Sequence, residues 1–167
     1  MLTGSLVSSL QGEPRATHDI DLLVELSTTA AKRLAEAFPL PDFYVSEERV
    51  RQAVRRKTMF NLIDLKSGGK VDFWSLTEEP FDRSRFSRRR PARLFDELIQ
   101  VSSPEDTILM KLMWAKESGG SEKQYGDALR VYEVQFSVLD HDYLEHWVKR
   151  LELQRLWRRL QGEAETL

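Results

Sequence analysis

The chain has no cysteine among its 167 residues. That excludes a disulfide scaffold, a thiolate zinc site and a cysteine nucleophile. Histidine is sparse, at positions 18, 141 and 146 only, and too scattered to suggest a histidine metal centre. No apolar run approaches the roughly 18 residues that a membrane-spanning helix needs. A large charge of one sign is missing too, since 25 basic side chains stand against 27 acidic ones. The balance excludes a histone-like polycation, an acidic tail and a highly charged disordered chain. The opening Met1-Leu2-Thr3-Gly4-Ser5 has no basic region followed by an apolar stretch, so it is not a secretory signal. A soluble cytoplasmic protein with no membrane partner is expected, and its length suffices for a real hydrophobic core.

What is present changes texture along the chain. Residues 1–76 mix short apolar runs with turn signals and read as α/β. A helix opens at Gly4-Ser5 and runs to Gln11. Residues 19–24 alternate as a strand, with Asp19, Asp21 and Leu23 on one face and Ile20, Leu22 and Val24 on the other. Ser27 is expected to cap a helix reaching Phe38, with Ala30, Leu34 and Ala37 inward, and Ser46 to cap another ending near Arg55. Residues 59–65 and 70–76 read as two strands of a hairpin across Lys66-Ser67-Gly68-Gly69. Residues 77–93 are polar and carry arginines at 83, 85, 88, 89, 90 and 93. A strand or hairpin arm is expected over 93–101. Beyond it the pattern is helical, beginning at Ser103-Pro104-Glu105-Asp106, a serine cap with proline and acids in the first turn. That helix should stop at Gly119-Gly120, followed by helices over 121–135, from Asp140, and around Leu153–Leu160. The four tryptophans read as core. The expected fold is α/β (α+β): a mixed sheet of four to six strands with flanking helices over 1–102, and a helical part over 103–167 packed on it.

The chemistry concentrates near the start. Asp19 and Asp21, at i and i+2 on a strand, point the same way and repel unless a cation lies between them. Oxygen-only ligation suits Mg²⁺ or Mn²⁺, which keep waters and bridge to substrate phosphates. Gly4 and Ser5 at a helix N-terminus offer backbone N–H groups and positive dipole to a phosphate. A carboxylate pair for metal beside a phosphate cradle is what phosphoryl or nucleotidyl transfer requires.

Gly4-Ser5, a spacer and then Asp19-Ile20-Asp21 resembles the signature of the DNA polymerase β-like nucleotidyltransferase superfamily. The wider strings Leu2-Thr3-Gly4-Ser5-Leu6 and Gly12-Glu13-Pro14-Arg15-Ala16-Thr17-His18-Asp19-Ile20-Asp21-Leu22 look like its AbiEii-type, toxin-related branch. So does the later run from Ser103 to Leu112. The resemblance implies transfer of a nucleoside monophosphate from an NTP, with Mg²⁺ or Mn²⁺, to an RNA or protein acceptor. It also implies a toxin–antitoxin setting with a cognate antitoxin.

The resemblance calls for a third carboxylate on a later strand. Asp64 and Asp72 are the candidates. If Leu65 lies opposite Lys70, then Ile63 faces Asp72 and Asp64 faces Val71, so the two aspartates point to opposite sides. Resemblance selects Asp72, in Lys70-Val71-Asp72-Phe73-Trp74. It further implies nucleotide contacts for Lys111 and Asp127, with Lys111 at the edge of the buried stripe of its helix. Arg15 is left to contact phosphate or to pin the loop by pairing with a carboxylate. His18 should point to the other face. The arginines of 83–93 are read as a solvated segment, or as a track for RNA or an acidic partner. Relatives of this type carry a helix and most of a strand before Gly-Ser, whereas only Met1, Leu2 and Thr3 precede it here. Either the true start lies upstream or a flanking element has been lost, and loss would leave a short strand with an exposed sheet edge, which a homodimer would cover. The competing reading is a noncatalytic binding module on the same fold.

Overall fold

The computed structural model describes residues 1–94 and 96–165. Strands β1 (Leu2–Thr3), β2 (Asp19–Val24), β3 (Phe43–Tyr44), β4 (Met59–Asp64), β5 (Lys70–Ser75), β6 (Arg90–Leu94) and β7 (Glu97–Val101) form one mixed sheet. Their order is β3-β4-β5-β2-β1-β7-β6. β2 runs parallel to β5 and antiparallel to β1, and β1 runs parallel to β7. The sheet has seven strands, against the four to six expected, because β1 and β3 hold two residues each and carry no readable alternation. β1 is an interior strand between β2 and β7. Among the described residues the strand before the Gly-Ser motif is thus covered on both sides, and the sheet edges are β3 and β6. Pro91, with Arg90 and Arg93, keeps β6 a poor template for further pairing.

Helices are α1 (Gly4–Gln11), α2 (Ala30–Ala37), α3 (Glu47–Arg56), α4 (Pro80–Ser87), α5 (Pro104–Glu117), α6 (Glu122–Gln135), α7 (His141–Arg150) and α8 (Gln154–Glu163). No helix among the described residues is long and apolar enough to cross a membrane. α2 starts two residues later than expected, with Thr29 rather than Ser27 at the cap position. Ser27 bonds through its hydroxyl to Thr29 and accepts Ala30 N–H through its carbonyl, so its side chain caps nothing. Ala31 and Leu34, rather than Ala30 and Ala37, then face the Val50, Ala53 and Phe60 cluster. By contrast Ser46, Ser103 and Asp140 cap their helices as the sequence predicts.

The polar 77–93 stretch contains an unforeseen helix, α4. Proline opens it, Phe81 anchors it, and Arg85 is buried against Asp82 at 2.7 Å. The other arginines are largely engaged within the chain. Arg83 pairs with Glu25 and Glu78, Arg90 lies 3.7 Å from Glu105, and Arg88 reaches Glu105 while stacking on Tyr143. These contacts hold part of the α4–β6 region against α5 and α7, while Arg89, Arg90 and Arg93 stay exposed.

α5 is the central helix, packed on by α1, α6, α7 and α8. Every residue from Pro104 to Leu112 is buried, so Lys111 sits inside the core rather than at a stripe edge. Ile108, Leu109 and Leu112 meet Ala128, Leu144, Trp157 and Leu160 there. Each large side chain so buried stabilises by about 1.5–3 kcal/mol. Gly120, with φ +97°, turns the chain back so that its N–H reaches Ala115 O at 2.7 Å. Trp147 and Trp157 are core; Trp74, at 38% exposed, is not.

Candidate active site

Strand register builds the carboxylate face. Asp21 lies opposite Asp72 and Asp19 opposite Lys70 on the parallel β2–β5 pair. On the antiparallel side Asn61 lies opposite Asp72. Residues paired in this way share a face, so Asp19, Asp21, Lys70, Asp72, Trp74 and Asn61 project together. The hairpin is offset by two residues from the expected register, with Ile63 rather than Leu65 opposite Lys70. A wider turn causes it: Asp64 N–H reaches Gly69 O, and the Asp64 carboxylate accepts from Lys66 N–H, Ser67 N–H and Ser67 Oγ. An offset of two preserves side-chain parity. Asp64 accordingly lies on the face opposite Asp72, beside His18 and Ile20 in an apolar groove.

Each inner carboxylate is held by a donor. Trp74 Nε1 donates to Asp21 Oδ1 at 3.2 Å, Lys70 Nζ lies 2.9 Å from Asp72 Oδ2, and Asn61 Nδ2 donates to Asp72 Oδ1. Among the described residues no three His, Asp or Glu side chains are gathered as a preformed metal-binding group. Backbone register nonetheless sets Asp19, Asp21 and Asp72 on one face. Burial pushes the Asp21 carboxyl above its ordinary value; the Trp74 hydrogen bond opposes this, and the charges of Asp72 and Asp19 add to it. The hydrogen bond to Asp72 raises the Lys70 ammonium, with help from Asp72, Asp19 and Asp21 charge.

Gly4 separates this face from a second polar cluster. Its φ is +72°, and a Cβ there would lie 2.1 Å from Asp21 Oδ2. Only glycine brings the start of α1 this close to the carboxylate. Thr3 gives α1 no side-chain cap, which leaves the first N–H groups of the helix open to an anion. Behind Gly4 and Ser5, Asp127 on α6 accepts Arg15 Nε at 2.8 Å and Arg15 Nη2 at 2.7 Å. It also accepts Lys111 Nζ at 2.7 Å. Lys111, 1% exposed, donates further to Gln124 Oε1 at 2.8 Å and to Ser5 Oγ at 3.1 Å. Arg15 Nη2 also reaches Ser5 Oγ at 3.1 Å. With two donors on its lone pairs, the Ser5 hydroxyl keeps its O–H as the function still to be used. Burial opposes charge on Asp127, yet Arg15 and Lys111 outweigh it and hold that carboxyl below its usual range. Burial pulls Lys111 below the ordinary lysine value, against Asp127. Arg15 therefore pins the loop before β2 by a bidentate pair, one of the two roles left open for it.

Gly4, Ser5, Arg15, Lys111 and Asp127 thus form one connected group, and Asp19, Asp21 and Asp72 share the adjoining face. Sequence reasoning missed Lys70, Asn61, Trp74 and Gln124. Lys70 and Trp74 were legible as the i−2 and i+2 neighbours of Asp72 in an alternating strand. Asn61 needed the hairpin register, and Gln124 the packing of α6 on α5.

No protein-family model matches the chain, and none of the curated proteins matches it. Among solved structures it is similar to an antigenic nucleotidyltransferase-like protein from Paracoccidioides brasiliensis. The identity is 18% and the TM-score 0.47, over 98% of this chain and 84% of that one.

Proposed function

We propose that the chain is a metal-dependent nucleotidyltransferase that moves a nucleoside monophosphate from an NTP to an RNA or protein acceptor. The observation that carries this reading is the opposite charge imbalance on the two sides of Gly4. On one side three carboxylates face a single lysine. On the other, Lys111 and Arg15 share the single carboxylate of Asp127 beside an uncapped helix start. The first surplus suits a divalent cation and the second a polyphosphate.

The donor set fits Mg²⁺ or Mn²⁺, being all oxygen, surplus in negative charge and approached by a backbone without a Cβ. Such a cation, when bound, neutralises charge on the transferred phosphoryl group. Asp19, Asp21 and Asp72 would hold it. The N–H groups of Gly4 and Ser5 bind the triphosphate, with the Ser5 hydroxyl as an added donor. Asp72 takes the proton of the acceptor hydroxyl as its oxygen bonds to the α-phosphorus and pyrophosphate leaves. Lys111, Arg15 and Asp127 hold the phosphate cradle from behind and supply its positive potential. A toxin role with a cognate antitoxin belongs to the same proposal and is supported by the resemblance of the sequence strings alone.

One observation favours a noncatalytic NTP- or RNA-binding module on this fold: two of the three carboxylates, Asp21 and Asp72, are engaged by Trp74, Asn61 and Lys70 rather than gathered. Label transfer separates the two readings. With Mn²⁺ or Mg²⁺, an α-³²P-labelled NTP should label an RNA or protein acceptor, and Asp21→Asn should abolish this while the fold survives. Labelling that persists in Asp21→Asn would sink the catalytic reading.

A further inference from the structure

We propose that Lys70 is a resident counter-ion of the carboxylate face and competes with the divalent cation for Asp72, so that metal entry requires the ammonium to swing out. The inference rests on the metal-site reading above and concerns a residue which that reading leaves without a role. Register places Lys70 opposite Asp19 and two residues before Asp72, on the face that carries all three aspartates. Its Nζ lies 2.9 Å from Asp72 Oδ2, while Asp72 Oδ1 accepts from Asn61. Both oxygens of Asp72 are therefore engaged, and one of the partners is a cation. Among the described residues Lys70 makes the only ion pair to Asp19, Asp21 or Asp72.

The two ends of this pair differ in mobility. The Lys70 side chain is 43% exposed and that of Asp72 13%. A lysine reaching in from solvent on a four-carbon stem can leave by rotamer changes alone. Asn61 sits on the neighbouring strand and is directly opposite Asp72, so it can keep Oδ1 oriented while Oδ2 changes partner. One positive charge against three negative ones leaves room for a doubly charged ion after exchange but makes that ion's arrival a competition. Half-exposed pairs of this kind contribute modestly, so the lysine tunes metal affinity rather than blocking it.

The test is a Mn²⁺ titration of the full chain, with free Mn²⁺ followed by its electron paramagnetic resonance signal. It compares the unaltered protein with Lys70→Met, Lys70→Arg and Asp21→Asn. Lys70→Met should bind Mn²⁺ roughly three- to tenfold more tightly, the size expected from removing one partly screened ion pair and its repulsion of the metal. Lys70→Arg, which keeps the charge, should stay within about twofold of the unaltered protein. Asp21→Asn should bind more weakly. Unchanged or weaker Mn²⁺ binding in Lys70→Met, with Asp21→Asn still weakened, overturns the role of Lys70 and leaves the metal site standing. If neither the unaltered protein nor Lys70→Met binds Mn²⁺, the metal reading itself fails and this inference fails with it.

Discussion

The two polar clusters that meet at Gly4 solve opposite electrostatic problems. Behind Ser5 the charges are mostly buried and closely hydrogen-bonded, with one positive charge in surplus: Asp127 accepts four hydrogen bonds, two from Arg15 and one each from Lys111 and Ser8, and Lys111 uses all three of its hydrogens. On the sheet face the charges are half-exposed and unbalanced, with a raised Asp21 carboxyl and Lys70 as the lone contacting cation. Buried ion groups punish the loss of a partner, whereas an unbalanced exposed group can gain from losing a charge. The first cluster is therefore built to hold its geometry, and the second to accept something more.

Removing a partner from the buried cluster should have the largest effect. Asp127→Ala leaves Lys111 and Arg15 without their carboxylate, and about 3–5 kcal/mol of stability should be lost in urea denaturation. Lys111→Met should cost less than half of that, because it removes the buried charge together with the bond and leaves Arg15 on Asp127. Equal losses in the two variants would break the distinction between the clusters.

Next comes the junction. Gly4→Ala forces a side chain into a positive-φ position and towards Asp21 Oδ2. It should cost about 1–3 kcal/mol and remove NTP binding measured by calorimetry. Retained binding would show that the start of α1 is not the phosphate cradle.

The unbalanced face should respond with the opposite sign. Asp21 titrates higher in the folded chain than in the unfolded one, so its ionisation weakens the fold above its folded pKa. Lowering the pH through that value relieves the penalty. Asp21→Asn should therefore raise Tm at pH 7 by a small but measurable amount. The gain should fade as pH falls into the ordinary aspartate range, where Asp21 is protonated anyway. A Tm lowered at pH 7 would mean that the Trp74 hydrogen bond outweighs the burial and repulsion.

The smallest effect belongs to Asp64→Asn. Asp64 organises the turn from the opposite face, so metal and NTP affinity should stay within about twofold of the unaltered protein. A loss comparable to that of Asp72→Asn would reverse the assignment between them.

Much of this was legible before any coordinates. The Asp19–Val24 alternation, the Ser103 cap and the Gly119-Gly120 stop rest on local chemistry, and they appear where the sequence puts them. The placing of Asp72 and Asp64 on opposite faces holds despite the register offset, because a shift of two keeps parity. What could not be read depended on long-range packing. α4 hides in a polar stretch because its apolar anchor, Phe81, is buried by a distant partner, Trp147. Lys111 is inside because four helices surround α5, and a helical stripe cannot show that. Trp74 looked like core until its strand placed it beside Asp21. Lys70, within a hairpin arm that read as ordinary, turned out to face the aspartates.

Ligand-dependent thermal stability shows whether the two clusters act together on a metal-bound nucleotide. Each NTP should raise the Tm of the unaltered protein when Mg²⁺ is present and much less without it, and Asp21→Asn should lose that Mg²⁺-dependent increment. Failure of every NTP to stabilise the protein with Mg²⁺, or an increment unchanged in Asp21→Asn, would contradict that joint action.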